Sequence, residues 1–533
     1  MLRRPRALSI LLLLAPGVLA AASTAAAAPK RPKTVASVAP RTIAVDVGRV
    51  KGPHDKAFRL CVGAGRANEG LRADWQGQLA TVHRECGFRY VRFHGLLHDD
   101  MDVYQETRDG KPVYNWQYVD ALYDAILRTG MKPFVELGFM PNALASGTKT
   151  IFWWKGNVTP PKSYEKWEAA IEALTRHFEE RYGRDEVKTW YFEVWNEPNL
   201  DYFWSGTQAD YFTLYTRSVR AIKRVSPDYR VGGPATAGAA WAPEFLRYCA
   251  ENDLPVDFVS THSYNVDGYL DESGQQQLRL VRDKDVVGDD VLRVAGEIEA
   301  SPRPAVELHF TEWSASYSSR DPVHDHYFSA PFILSRLKRV AGAAQSMSYW
   351  TFTDVFEEGG AGPTPFHGGF GLLNLQGLRK PAFYAYQFLN RLGDTELENS
   401  DTQSWACTTA AGVQILLWDL TTPAQDAPNQ VYFKRDIPAA RVSDVRLAVS
   451  GLPAGDYDLT LSRVGYRAND VYADYLLMGS PSWLSQAQVA RLSAQNDGSP
   501  ILRRRVTLAA GAPLEHTLEM RENDVWLAIV TRR

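Results

Sequence analysis

The chain contains little cysteine for its length. Four cysteines occur among 533 residues, at positions 61, 86, 249 and 407. That number is too small for a disulfide framework in so long a chain, and the spacing matches no zinc-binding pattern. We therefore expect buried thiols, with a bridge between Cys61 and Cys86 left open, and we expect no metal or other cofactor.

An excess of charge of either sign is also missing. Lys and Arg total 59 against 62 for Asp and Glu, which gives a net charge of −3. A protein so nearly neutral has no overall field for nucleic acid or an anionic membrane surface. The sequence also lacks a Gly-x-Gly-x-x-Gly motif after its first predicted strand, which argues against a dinucleotide site.

The N-terminal segment has the pattern of an export signal. Residues 1–6 are cationic, residues 7–20 are apolar, and the Ala-rich stretch that ends at residue 28 offers cleavage sites after small residues. We predict a signal peptide over 1–28 and a protein exported to the periplasm or the medium, free of the membrane once the signal is removed. Residues 29–57 read as a linker with a strand at 42–47 that joins a C-terminal β-domain.

Residues 58–392 alternate between short β-forming runs and helical runs. Eight such pairs in about 330 residues predict an α/β fold, a closed parallel (β/α)8 TIM barrel. A doubly wound open sheet is the alternative. From 393 to 533 the pattern changes to short β runs between turns, which predicts an all-β sandwich with a helical insertion near 471–492. We expect a structural role for this domain, with carbohydrate binding as the alternative.

Two glutamates mark the ends of predicted barrel strands. Glu197 ends the fourth strand and Glu312 the seventh, and aromatic residues flank both. A carboxylate next to an apolar strand costs free energy unless it has a partner or a use. Because active residues of such barrels lie at the carboxyl ends of the strands, we expect the pair to face one substrate. A structural ion pair is the plainer alternative.

Other polar and aromatic residues fall at the same end of the predicted barrel. They are His94, Asn196, His262, Tyr264, Trp350 and the adjacent Glu357 and Glu358. Two carboxylates with amide and imidazole groups and aromatic walls suit the cleavage of glycosidic bonds, in which one carboxyl protonates the leaving oxygen and the other meets the anomeric carbon. Tyr264 is a candidate donor to Glu312, and Asn196 to a sugar hydroxyl. Glu136 and Glu193 are expected to hydrogen bond the residues of the site and not to contact the substrate.

Several motifs resemble the retaining glycosidases of clan A, and within it glycoside hydrolase family 39. They are Trp-Asn-Glu-Pro at 195–198, His-x-Tyr at 262–264 and Thr-Glu-Trp at 311–313, together with 92–101, 136–141 and 350–359. The family includes β-xylosidases and α-L-iduronidases. The resemblance implies that Glu197 is the acid/base and Glu312 the nucleophile. It also implies that His94, Asn196, His262, Tyr264, Trp350 and one of Glu357 and Glu358 line the sugar subsite.

The resemblance implies an exo-acting β-xylosidase that works on xylooligosaccharides with retention of configuration. Three alternatives stay open: another sugar in the same family, such as an iduronide or an arabinoside; an endo-acting enzyme; and an inactive sugar-binding barrel. A carboxylated sugar would need Arg or Lys at the pocket, and the motifs supply no obvious one. The loops at 95–115 and 267–290 are expected to shape the pocket or an interface in a homo-oligomer.

Overall fold

The computed structural model describes residues 41–533, so the predicted signal peptide and residues 29–40 of the predicted linker lie outside it. Eight parallel strands close into a barrel. They are β1 (Cys61–Arg66), β2 (Tyr90–His94), β3 (Lys132–Leu137), β4 (Tyr191–Val194), β5 (Arg230–Thr236), β6 (Phe258–Tyr264), β7 (Glu307–Ser314) and β8 (Ser346–Tyr349). The predicted barrel is confirmed, and the open sheet is excluded because β8 pairs with β1.

Each strand of the barrel is followed by a helix. The helices span Ala73–Cys86, Gln117–Arg128, Tyr164–Tyr182, Gln208–Val225, Ala242–Glu251, Val286–Glu299, Ser329–Arg339 and Pro381–Asn390, with a short turn of helix at Arg184–Val187. Local signals set their ends: the Ser163 hydroxyl accepts a hydrogen bond from the amide of Lys166, and Gly87 ends the first helix with a φ of 80°. None of the helices in the described residues is long and apolar enough to cross a bilayer.

Six of the other strands pair as two-stranded antiparallel sheets in the loops, at Tyr104–Glu106 with Pro112–Tyr114, Thr150–Ile151 with Gly156–Asn157, and Val266–Leu270 with Gln276–Leu280. The other ten strands form two sheets that share one apolar core. The smaller sheet contains Arg41–Asp46, Val445–Ser450 and Leu514–Leu518. The larger contains, in spatial order, Val50–Pro53, Thr395–Leu397, Ser404–Thr409, Gly412–Trp418, Val525–Arg532, Gly455–Val464 and Leu502–Leu508. Residues of both sheets meet in this core, as in a β-sandwich. The first described strand, Arg41–Asp46, pairs in parallel with Val445–Ser450, and short helices span Asn429–Tyr432, Val471–Leu477 and Gln486–Gln495.

The four cysteines are all buried free thiols, so the bridge considered between Cys61 and Cys86 does not form. Burial raises the pKa of the Cys61 thiol to about 12. A buried thiol that stays protonated is a poor nucleophile, and these side chains act as small apolar residues.

A buried ion-pair network ties together the loops that follow β7 and β8. Lys380 Nζ lies 2.6 Å from both Asp325 Oδ1 and Asp354 Oδ2, and all three side chains are at most 1% exposed. The two aspartates also accept hydrogen bonds from the amides of Gly368 and Gly371. The network therefore fixes the segment between these glycines, which carries Phe370.

We expect Lys380→Met to destabilise the protein by about 3–5 kcal/mol, because it leaves two carboxylates buried without their cation. The midpoint of urea unfolding, followed by tryptophan fluorescence, measures the effect. Lys51→Met is the matched control: its amine also pairs with a carboxylate, Glu396, but it is 59% exposed, so the loss should stay below about 1 kcal/mol. Equal losses in the two variants would contradict the structural role of the network.

Candidate active site

The carboxyl end of the barrel opens into a cavity of about 630 Å³ that contains both glutamates. The size fits a small ligand. Residues from seven of the eight strands or the loops after them line the cavity: His94, Ile151, Phe152, Glu197, Leu200, Tyr202, Phe203, Ala237, Gly238, Tyr264, Val266, Gln276, Glu312, Tyr317, Trp350, Glu358 and Phe370. Seven of these seventeen residues are Phe, Tyr or Trp, and the three carboxyl groups, His94 and Gln276 supply most of the polar part.

Glu197 is held at the end of β4 in an unusual backbone conformation. Trp195 and Glu197 have φ values of 70° and 44°, a region that costs non-glycine residues about 1–3 kcal/mol each. The amide of Glu197 donates to Ala235 O (2.8 Å), and the indole of Trp195 donates to Phe203 O (2.8 Å). These bonds hold the acidic side chain in place against the strain.

A shift in register brings Glu312 beside the sixth strand's histidine. Thr261 pairs with Phe310, but His262 pairs with Glu312, so Thr311 is the extra residue of a bulge in β7. His262 Nδ1 lies 2.8 Å from Glu197 Oε1 and 3.6 Å from Glu312 Oε2. One oxygen of each glutamate and one nitrogen of His262 all lie within 4.8 Å of one another. The two carboxyl groups thus face each other across a short gap.

Arg92 contacts four polar side chains at the floor of the site. Its Nε donates to Glu193 Oε2 (2.5 Å), its Nη1 to Glu312 Oε1 (2.6 Å), and its Nη2 to Asn196 Oδ1 (2.9 Å). Nη2 also lies 2.9 Å from Glu136 Oε2. The side chain is fully buried, and its ring contact is Trp350, whose centroid is 5.7 Å away. A single guanidinium therefore positions groups from β2, β3, β4 and β7.

The two central glutamates differ in their hydrogen-bond donors. Burial raises the pKa of Glu197, and the nearby charge of Glu312 raises it further. Burial also raises the pKa of Glu312, but Arg92 and the Tyr264 hydroxyl, which donates to Oε2 at 2.7 Å, limit that rise. A proton shared by the pair therefore resides on Glu197, and Glu312 is the ionised partner.

The two histidines of the site are neutral. Burial and, to a smaller extent, the charge of Arg92 lower the pKa of His94 to about 3. Burial and Arg92 hold the pKa of His262 well below its usual value. Neither imidazole can therefore supply a positive charge, and Arg92 is the cation that compensates the carboxylates it contacts.

The Thr311 hydroxyl determines which nitrogen of His262 carries a proton. Thr311 Oγ1 lies 2.8 Å from Glu193 Oε1 and 3.1 Å from His262 Nε2. No other residue in 41–533 donates a hydrogen bond to that oxygen of Glu193, and a buried carboxylate oxygen without a donor is costly. The hydroxyl therefore donates to Glu193, Nε2–H of His262 donates to Thr311, and Nδ1 is left to accept a hydrogen bond from protonated Glu197.

Four of the predicted sugar-binding residues line the cavity: His94, Tyr264, Trp350 and Glu358. Asn196 and His262 are buried behind the cavity wall. Asn196 Nδ2 finds no hydrogen-bond partner among the described residues, which leaves a donor at the site's floor. His262 contacts Glu197 and Thr311 and is absent from the cavity lining, so its expected contact with the sugar stays a prediction.

Glu357 and Glu358 point in different directions. Glu358 lines the cavity and lies 3.8 Å from His94 Nε2. Glu357 pairs with Arg66 and Arg72, at 3.0 and 3.4 Å, and is absent from the cavity lining. Of the two alternatives, the geometry favours Glu358, because Glu357 is paired with two arginines outside the cavity lining.

Sequence reasoning missed Arg92 and Thr311. Arg92 lies two residues before His94 on β2, and side chains two apart share one face of a strand. That spacing was a usable signal for an arginine in the site. Thr311 precedes Glu312 and would face away from it in a regular strand; only the bulge in β7 brings both inward.

An atom of Glu197, of His262 and of Glu312 could together ligate a cation. In the structure these atoms are already used: His262 bonds to Glu197, and the oxygens of Glu312 accept from Arg92 and Tyr264. The chemistry available here is therefore proton transfer by one carboxyl and nucleophilic or electrostatic action by the other.

Known proteins share this architecture. A family model described as glycosyl hydrolases family 39 matches residues 41–510. The chain is 41% identical over 460 residues to a β-xylosidase of Caldicellulosiruptor saccharolyticus, covering 84% of this chain and 90% of that protein. The crystal structure of the GH39 enzyme from Xanthomonas axonopodis pv. citri is 45% identical, with a TM-score of 0.91 and coverage of 94% and 100%. A monomeric β-xylosidase from Caulobacter crescentus CB15 is 46% identical, with a TM-score of 0.89 and coverage of 92% and 99%.

Proposed function

Because this chain belongs to the glycosyl hydrolases of family 39, we propose that it is an exo-acting β-xylosidase that releases xylose from xylooligosaccharides with retention of configuration. It is a glycoside hydrolase, as the family match and the β-xylosidase relatives establish. The observation that carries the proposal is the pair formed by Glu197 and Glu312, whose unequal surroundings give each a different protonation state.

The spacing of the pair supports a retaining mechanism. Retaining glycosidases hold their two carboxyl groups about 5–5.5 Å apart, whereas inverting enzymes leave about 6.5–9.5 Å for a water molecule. One oxygen of Glu197 lies within 4.8 Å of one oxygen of Glu312. Such a close approach of the two carboxyl groups favours the retaining arrangement, in which Glu312 attacks directly.

In the first step, a Glu312 oxygen forms a bond to the anomeric carbon while the bond to the leaving oxygen breaks, and Glu197 gives its proton to that oxygen. Arg92 and Tyr264 keep Glu312 ionised for this attack. In the second step, Glu197 takes a proton from water, the water oxygen bonds to the anomeric carbon, and the ester to Glu312 breaks. The Asn196 side-chain amide, next to the acid, has no hydrogen-bond partner among the described residues, which supports its expected role as a donor to a sugar hydroxyl once substrate binds.

The cavity lining favours a neutral sugar over a uronide. None of the residues that line the cavity is Arg or Lys. Arg92 lies beneath it, but its donors are committed to Glu193, Glu312 and Asn196. An iduronide carboxylate would therefore meet Glu358 and Glu312 without a free cation to bind it, which makes xylose the better ligand.

We also propose that the protein is exported. The support is the sequence of residues 1–28, with its cationic start, apolar stretch and small-residue cleavage sites. A fusion of this segment to a reporter that is active only outside the cytoplasm tests it: activity is the expected result, and a fully retained, uncleaved precursor would contradict export.

The choice of sugar is tested with a panel of aryl β-xyloside, α-L-arabinoside and α-L-iduronide substrates. We expect kcat/KM to be highest for the β-xyloside, because the cavity offers no free cation to a uronide. Xylotriose digests followed over time should release single xylose units from the start. Preference for the iduronide, early internal cleavage, or no turnover of any substrate would each reject the proposal.

The roles of the two glutamates are tested by removing each carboxyl. Glu312→Gly should be nearly inactive, and azide should restore turnover by forming the glycosyl azide of inverted configuration. Glu197→Ala should lose about 10²–10⁴-fold in kcat with poor leaving groups, and azide should then give the azide of retained configuration. NMR of the products assigns the configurations, and near-normal activity of Glu312→Gly would show that another residue is the nucleophile.

Thr311→Val is expected to shift the pH profile of hydrolysis. Without the hydroxyl, His262 is free to carry its proton on Nδ1. It can then donate a hydrogen bond to ionised Glu197, which lowers the pKa of Glu197. Because the acid must be protonated, the alkaline limb of kcat/KM should then move to lower pH.

Thr311→Ser, which keeps the hydroxyl, is the control and should retain the wild-type profile. An alkaline limb that does not move in Thr311→Val, measured for aryl β-xyloside hydrolysis, would contradict the assigned proton on Nε2 of His262.

A further inference from the structure

Tyr202, at the rim of the cavity, makes neither a ring contact nor a side-chain hydrogen bond with any residue in 41–533. Tyr202 is 69% exposed and lines the cavity, five residues after Glu197. Its neighbours differ: Phe203 packs against Phe139 and Phe152, and Trp204 is only 1% exposed. The Tyr202 hydroxyl forms no hydrogen bond with any residue in 41–533. An exposed aromatic ring at a cavity mouth is a candidate contact for ligand.

The loop that carries Tyr202 is fixed from both ends. Leu200 N donates to Glu197 O (3.0 Å), and Phe203 N and Trp204 N both donate to Leu200 O (2.9 and 3.0 Å). Asn199 exchanges two hydrogen bonds with the backbone of Ala237, at 2.8 and 2.9 Å. The ring of Tyr202 is therefore presented by a rigid turn, so a ligand that stacks on it would not have to order the loop.

The position of the proton donor indicates which part of a substrate reaches this ring. Glu197 must approach the leaving oxygen, so the leaving group lies on the Glu197 side of the cavity. That side is formed by Leu200, Tyr202, Ala237 and Gly238. A side chain added at Gly238 would meet no atom within 4 Å, so the cavity wall is open at that residue.

The opposite side of the cavity lies next to the nucleophile, Glu312. Tyr264 bonds to Glu312, and its ring packs edge-on against Tyr317 with centroids 6.3 Å apart. His94, Trp350 and Phe370 form a wall at the floor, with His94 and Trp350 centroids 4.8 Å apart. These rings pack against one another, whereas the ring of Tyr202 is exposed and packs against no other ring in 41–533.

We propose that Tyr202 is the stacking platform for the first sugar of the leaving group, a neutral pyranose such as the second xylosyl unit of a xylooligosaccharide. The inference rests on the proposed function, since it assigns the leaving-group side of that same site. The apolar face of a β-linked xylose, which has no hydroxymethyl group at C5, can lie flat against a tyrosine ring. Tyr202 would thus determine the preference for oligosaccharides over substrates without a leaving sugar.

The test compares xylobiose with β-xylosyl fluoride, which has no sugar in the leaving-group position. In Tyr202→Ala the ratio of kcat/KM for xylobiose to kcat/KM for xylosyl fluoride should fall about 5–10-fold, the size of one aromatic stacking contact. Tyr202→Phe keeps the ring and should keep the wild-type ratio within about twofold, because the hydroxyl has no partner.

Tyr118→Ala is the matched control, since Tyr118 is also an exposed tyrosine (48%) but lies outside the cavity lining. Its ratio should equal that of the wild type. A ratio in Tyr202→Ala that stays at the wild-type value, or falls equally in Tyr118→Ala, would overturn the subsite. Failure of the proposed function looks different, because wild-type protein would then hydrolyse neither substrate.

Discussion

The buried guanidinium of Arg92 is the interaction on which the site depends. It contacts Glu136, Glu193 and Glu312 and the amide of Asn196, and so joins four strands at the floor of the cavity. Burial alone would lower the pKa of an arginine, but here the three carboxylates outweigh it and raise the pKa. Without this cation, several carboxyl groups would be buried together with no compensating charge.

The hydrogen bonds of Arg92 also explain why the two central glutamates differ in protonation. Arg92 donates directly to Glu312, which keeps that carboxylate ionised, whereas Glu197 receives no hydrogen bond from it. Glu197 instead faces a neutral His262, whose acceptor nitrogen is set by Thr311. The proton distribution required for double displacement is thus already present before substrate binds, because each carboxyl has a different set of donors.

Much of the site follows from local sequence. The β4 and β7 motifs predicted Glu197 and Glu312 at strand ends, because the alternation of strands and helices fixes the direction of the barrel and therefore the end at which these residues lie. His94, Tyr264, Trp350 and Glu358 were predicted for the same reason, and all four line the cavity.

By itself, therefore, the sequence determined the family, the parallel barrel and the two carboxyl groups, since these depend on periodicity and on short contiguous motifs. Tertiary structure alone decided that Arg92 is the cation of the site, that His262 lies behind Glu197, and that Glu357 turns to Arg66 and Arg72. It also decided that the exposed ring of Tyr202 packs against no other ring among residues 41–533. Each of these features depends on contacts between residues that are far apart in sequence. Neither the alternation of strands and helices nor a single motif predicts such contacts.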